Sequence, residues 1–191
     1  MSELDQSRVT VHMAASVDGF IARRDGSVDW METADDFPGG TIMDPGFVEA
    51  FLKTIDCYVM GSRTYETALR FDGQGLTWPY GDKPTFVLTT RVLPRNRESV
   101  EFYSGDLTQL VNGRLRAEFG SIWVVGGASL CSACLRLGLV DEIRYSILPI
   151  LIGDGTPFFE RLESDIALHL AEVSAYRSGV VELRYDVRRE K

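Results

Sequence analysis

The chain has 191 residues, of which 45% are hydrophobic, 25% charged and 10% aromatic. Those fractions exclude a disordered tail, a collagen-like repeat and a coiled coil, and the length suits one domain over residues 1–191 with its core at about 8–188. A net charge of −8 without a basic stripe excludes a nucleic-acid partner, because the cations of Arg91-Val92-Leu93-Pro94-Arg95-Asn96-Arg97 are too few to hold a groove.

A chain this long buries about 70% of its unfolded surface and needs no disulfide or metal staple. Cys57, Cys131 and Cys134 are too few, and odd in number, for a disulfide framework. The opening residues lack a basic-then-apolar leader, and no apolar run approaches the ~18 residues of a membrane span. No membrane partner is expected, and the expected location is cytoplasmic.

Taken in chain order, residues 8–15 read as a strand entering a turn at Asp18-Gly19. Short apolar runs at 55–60, 85–88, 121–125 and 142–152 follow, each stopped by Gly or Thr, as strands buried on both faces are. Between them lie helical patterns. Phe47, Phe51 and Leu52 share one face, Leu107, Leu110, Leu115 and Phe119 another, and residues 129–137 form a third helix closed by Gly138. Strands alternating with helices predict a largely parallel sheet covered on its faces. The tail differs: residues 168–176 and 180–187 flank Ser178-Gly179 and predict an antiparallel hairpin at the sheet edge. Residues 72–83, rich in Gly, Pro, Tyr and Trp, are either a binding loop or a solvent-exposed crossover.

Several chemistries lack their residues. His12 and His169 sit in separate predicted strands, and Cys131-Ser132-Ala133-Cys134 is a lone C-x-x-C, so no metal site is expected. The two cysteines lie in an apolar helical stretch with Leu130 and Leu135, as small buried residues do; a redox pair is the alternative. No G-x-S-x-G elbow, phosphate loop or G-x-G-x-x-G turn is present, which excludes the usual hydrolases, NTPases and Rossmann dehydrogenases.

Three strand-end turns do carry anion-binding chemistry. Gly61-Ser62-Arg63-Thr64 opens a helix with free N–H groups, a hydroxyl and a guanidinium. Thr89-Thr90-Arg91 supplies two hydroxyls and a second guanidinium. Val125-Gly126-Gly127-Ala128-Ser129-Leu130 ends a third strand, where missing side chains let a pyrophosphate approach the backbone. Neighbouring carboxyl ends of parallel strands are where open α/β sheets bind ligands, and an acidic protein needs such a local pocket to hold an anion.

In this order the residues resemble the dihydrofolate reductase superfamily, and its riboflavin-biosynthesis reductase branch in particular. Ser16-Val17-Asp18-Gly19-Phe20-Ile21-Ala22 is similar to the opening S-x-D-G-x-I-A signature, and Gly26-Ser27-Val28-Asp29-Trp30 to the stretch after it. Val59-Met60-Gly61-Ser62-Arg63-Thr64-Tyr65 and Val125-Gly126-Gly127 match the second strand and the double-glycine turn. Leu139-Val140-Asp141-Glu142-Ile143, followed by Pro149-Ile150-Leu151-Ile152-Gly153-Asp154-Gly155, matches the run of the riboflavin branch. The resemblance implies a three-layer α/β/α fold of dihydrofolate reductase type, with a mostly parallel mixed sheet and a C-terminal antiparallel hairpin.

It also implies an NADPH-dependent reductase acting on a small pyrimidine- or pterin-like heterocycle, and a homodimer. By family position Ala14 and Ile21 lie along the nicotinamide, while Gly61, Ser62, Arg63 and Thr64 approach the phosphates. Thr89, Thr90 and Arg91 take the 2′-phosphate; Val125, Gly126, Gly127, Ala128, Ser129 and Leu130 pass under the pyrophosphate. Asp18 and Trp30 fall beside the substrate, and counting on from Trp30 makes Asp35 the candidate proton donor. The only cation between Trp30 and Asp56 is Lys53, among Asp35, Asp36, Asp44 and Glu49, which disfavours a phosphorylated substrate there. Dihydrofolate reduction and a non-catalytic nucleotide sensor are the alternative readings.

Overall fold

Strand β1 (Arg8–Ser16) turns Val9, Val11 and Ala15, none with exposed surface, to one side and Thr10, His12 and Ala14 to the other. This alternation places β1 in the middle of the sheet of the computed structural model, which describes residues 7–73 and 78–188. β2 is Phe20–Ala22, β3 Cys57–Gly61, β4 Thr85–Leu88, β5 Val100–Tyr103, β6 Ser121–Gly126 and β7 Glu142–Leu148. After the short β8 (Thr156–Pro157) come β9 (Leu168–Ala175) and β10 (Val181–Val187). Eight strands form one sheet in the order β5-β4-β3-β6-β1-β7-β10-β9, and β2 pairs with β8 separately. All neighbours from β5 to β7 are parallel; β10 runs antiparallel to both β7 and β9. The predicted fold class and terminal hairpin are therefore present.

Four helical segments complete the three layers. On one face α3 (residues 107–118, with a π-helical middle) and α4 (Ala128–Arg136) bury Leu110, Val111, Leu115, Leu130, Cys131 and Cys134 against Val9, Val11, Val59, Ile122 and Val124. Asp106 caps the first of these, its carboxylate accepting from Gln109 N at 2.8 Å. On the other face lie α1 (Phe47–Thr54) and α2 (Ser62–Gly73), the latter burying Tyr65 and Ala68 against Tyr58, Met60 and Val87. Helix α1 has no fully buried residue.

The structure corrects several expectations. β5 was not predicted, because Glu101 interrupts a four-residue run too short to show a period. The strand expected over 142–152 stops at Leu148, where Pro149 brings no N–H to a ladder. Burial on both faces holds in β3 and β4, whereas β6 alternates strictly and β7 and β10 carry a polar face. Of residues 72–83, positions 74–77 lie outside the described residues. Trp78 and Tyr80 are buried in the core beside Tyr65 and Tyr58, so that part of the segment is neither a free lid nor a solvent-exposed crossover.

Candidate functional site

The parallel register brings the carboxyl ends of β3, β4 and β6 to one edge, with Met60 opposite Gly126 and Gly61 opposite Leu88. The turns after β3 and β6 touch. A Cβ built on Gly127 would lie 3.7 Å from Thr64 Oγ1, and one on Gly61 would lie 3.8 Å from Gly126 O. Both are ordinary contacts, so internal packing alone does not demand glycine at either position. The absent side chains leave the backbone open to an approaching group. Gly126 is different: its φ of +128° and a Cβ position 2.9 Å from Met13 Sδ require glycine, and they seat the turn directly on β1. The Gly126–Gly127 peptide is cis.

Helix α2 starts at Ser62, immediately after β3, and α4 at Ala128 after Gly127, so both predicted helix N-termini face this edge. Gly127 O accepts from Leu130 N and Cys131 N at 3.1 Å each, and the Ser129 hydroxyl donates to Glu160. Ala128 and Leu130 are buried. Their contribution at this edge is backbone geometry rather than side-chain contact. Thr89 N donates to Tyr103 O, and Thr89 Oγ1 accepts from Arg91 N, both at 2.9 Å, which folds Thr89-Thr90-Arg91 into a tight turn beyond β4.

Arg91 is not idle there. Its guanidinium forks onto Glu66 of α2, at 3.0 and 2.6 Å. Arg91, Arg70 and Arg63 all act on Glu66; the Arg91 bond is the largest influence and holds the carboxyl below its ordinary range. Arg91 bonded to Glu66, with Arg63 and Arg70 close enough to act on it, makes a locally cationic patch.

Other predicted residues sit further along. Ala14 and Ile21 are half-buried, Ile21 in β2 against the main core. Asp18 accepts from Gly153 N at 2.7 Å and Ile152 N at 3.2 Å, and Ser16 is the main influence lowering its pKa. Its carboxylate thus pins the 152–153 turn to β1. Trp30 is buried in a short helical turn, Asp29–Met31, with its indole N–H unpartnered. Asp35 is exposed against Gly179, while Thr33 Oγ1 donates to Ser178 O at 3.0 Å and Arg177 pairs with Asp36 at 2.6 Å. Asp35 therefore lies at the β9–β10 turn, three strands across the sheet from Gly126. Cys131 and Cys134 are core residues; burial pushes the Cys134 thiol up to about 12 and that of Cys131 upward as well.

Sequence reading missed a polar face that the fold assembles beside this edge. His12 Nε2 lies 3.0 Å from Ser146 Oγ, which lies 3.3 Å from Glu182 Oε2. Burial, helped by Arg144, lowers the His12 pKa to about 4, against a smaller opposing effect of Glu142. Burial also raises that of Glu182. Below them Glu142, 3% exposed, takes Arg8 at 3.0 Å, Arg144 at 2.8 Å and Arg184 at 3.4 Å. The sequence signal was available in the polar alternation Glu142, Arg144, Ser146 and Glu182, Arg184, Asp186.

Comparison with known proteins gives the family and the fold. The model of the RibD C-terminal domain family matches residues 7–182. Two uncharacterised Bacillus subtilis proteins are similar over nearly their whole length: YwjB, 32% identical over 94% of this chain and 98% of its own, and YyaP, 30% identical over 96% and 97%. A putative riboflavin biosynthesis protein from Shewanella sp. PV-4 superposes with a TM-score of 0.80 at 29% identity, covering 95% of this chain and 99% of that one. RibD from Acinetobacter baumannii shares the fold, with a TM-score of 0.67 at 18% identity, covering 96% of this chain and 58% of the longer one. The chain belongs to the RibD C-terminal domain family, within the dihydrofolate reductase-like superfamily.

Proposed function

We propose that the protein is an NADPH-dependent reductase that delivers hydride to a small heterocycle carrying a conjugated imine or carbonyl, as the reductases of riboflavin biosynthesis do. One observation carries the reading: Gly61, Thr64, Gly126, Gly127 and Met13 meet at one sheet edge, with two open glycines beside a patch of three guanidinia. The residues fit the dinucleotide. Gly61, Ser62, Arg63 and Thr64 would hold its phosphates together with Gly126 to Leu130, Thr89, Thr90 and Arg91 its 2′-phosphate, and Ala14 and Ile21 its nicotinamide. When bound, NADPH would supply the hydride. The protein's own task is alignment and exclusion of water. Asp18 and Trp30 border the substrate in this reading, while Asp35 is held at the β9–β10 turn.

A homodimer belongs to the same reading. Leu168, Leu170 and Val173 of the edge strand β9 are exposed, and they register with Val187, Tyr185 and Leu183 of β10. The irregular register near Arg184/Tyr185 keeps all three on one face despite their uneven spacing. An uncovered apolar strip on a sheet edge is a pairing surface.

Titration of the protein with NADPH, followed by nucleotide fluorescence, tests the reading. Saturable binding, then NADPH oxidation on adding the ribosylaminouracil intermediate or dihydrofolate, is expected. Absence of binding at any ionic strength refutes it.

A further inference from the structure

The polar face beside the strand ends continues past Ala14, the residue set against the nicotinamide in the reading above. Ala14, Ser146 and Glu182 stand side by side across β1, β7 and β10, each registered with the next and all on the same face. At ~4.8 Å per strand, Ala14 and Glu182 are about 10 Å apart, the length of a one- or two-ring heterocycle. All three are half-buried, so the row is neither solvent surface nor packed core.

Aromatic groups stand above it. Phe51 of α1 lies 5.0 Å from the His12 ring and 5.1 Å from Trp123, with the Arg144 guanidinium 5.2 Å from its own centroid. One turn earlier in α1, the Phe47 ring lies 6.0 Å from Tyr176. His12 Nδ1 is buried and unpartnered, an unmet hydrogen-bonding group in the floor. Helix α1, with no fully buried residue, stands over this half-buried polar face.

Resting on the reductase reading above, we propose that this polar face seats the substrate's heterocycle and that Glu182, bonded through Ser146 to His12, is the catalytic acid that protonates it. The substrate class is an uncharged nitrogen heterocycle with a C=N bond conjugated to its ring. The carbon of that bond gains the hydride, its π pair moves to nitrogen, and nitrogen takes the Glu182 proton; the carboxylate left behind is reprotonated from water. NADPH is the species oxidised, to NADP+.

The groups facing Glu182 set its proton affinity. Burial raises it, with Glu172 of β9 and Glu142 of β7 adding to the rise; Arg144 and the Ser146 hydroxyl oppose it. Tyr176 lies near enough to feel the Glu182 charge. On β10 itself, Arg184 is held by Glu172 at 3.1 Å and by Glu142 at 3.4 Å. His12, neutral above about pH 4, accepts or donates through Nε2 without adding a charge. A carboxyl whose proton affinity is raised is better suited to act as a general acid.

The test is single-turnover oxidation of bound NADPH across pH 5–9 in wild type, Glu182→Gln, Glu182→Asp and Ser146→Ala. The oxidants are the ribosylaminouracil intermediate, dihydrofolate and a simple cyclic imine. Wild type should react fastest at low pH and slow as Glu182 ionises. Glu182→Gln should lose about 10²- to 10³-fold and the pH dependence with it. Glu182→Asp should keep the dependence, and Ser146→Ala should move it to higher pH. NADPH affinity, read by fluorescence, should stay within threefold in all four proteins, which also reports that the variants fold. A Glu182→Gln protein that keeps its rate, or its pH profile, overturns the assignment. So does NADPH that binds wild type yet is oxidised by none of the three compounds. Failure of wild type to bind NADPH overturns instead the reductase reading beneath it.

Discussion

Protonation of His12 should destabilise the protein by a calculable amount. The ring is packed against Phe51 and Trp123, and its folded pKa is lowered from 6.5 to about 4. A histidine whose folded pKa is depressed contributes full stability above its unfolded pKa, and that stability is lost as pH falls from 6.5 toward 4. Between pH 7 and pH 5 the unfolded chain takes up nearly one proton that the folded chain refuses, a loss of about 2 kcal/mol. His12→Gln keeps a hydrogen-bonding group for Ser146 and cannot ionise, so each protein serves as its own reference across pH. Urea unfolding of both proteins at pH 7 and pH 5 measures the double difference, in which every other titrating group cancels. Wild type should lose about 2 kcal/mol more than His12→Gln over that interval. Equal losses would show that the ring is hydrated in the folded state, against its packing under Phe51.

Arg91→Ala should weaken NADPH by about 10- to 100-fold and NADH by less than threefold, because a guanidinium–phosphate contact is worth about 1.5–3 kcal/mol. Equal losses for the two nucleotides in fluorescence titrations would contradict the 2′-phosphate role. Glu66→Gln should have the opposite effect and tighten NADPH, since it frees the Arg91 fork and removes a negative charge beside it. Glu142→Gln should cost about 3 kcal/mol in urea unfolding at pH 7, because Arg8, Arg144 and Arg184 lose the carboxylate they share. Burial alone would raise the Glu142 pKa, but those guanidinia outweigh it and leave it lowered. Its contribution is therefore present at neutral pH and fades as pH falls through the carboxylate range. Val173→Lys on the apolar strip of β9 should shift the light-scattering mass in size-exclusion chromatography from dimer to monomer; an unchanged mass would remove that strip from the dimer reading.

The sequence alone determined the fold class and pointed to the candidate site. Apolar runs such as Tyr58-Val59-Met60 before Gly61 and Ile122-Trp123-Val124-Val125 before Gly126 announce strands of a parallel sheet, because such strands end where the backbone must turn sharply. Those same glycines marked the candidate site, since turn chemistry and anion binding use the same residues. What the sequence hid was pairing across distance. His12, Ser146 and Glu182 are more than a hundred residues apart at the extremes and share no local period. They become one cluster only when β7 and β10 register beside β1. The engagement of Arg91 by Glu66 and the position of Asp35 at the hairpin turn were equally hidden. Local patterning fixes which face of an element is apolar; tertiary register decides which polar groups meet, because that depends on strand order and not on spacing along the chain.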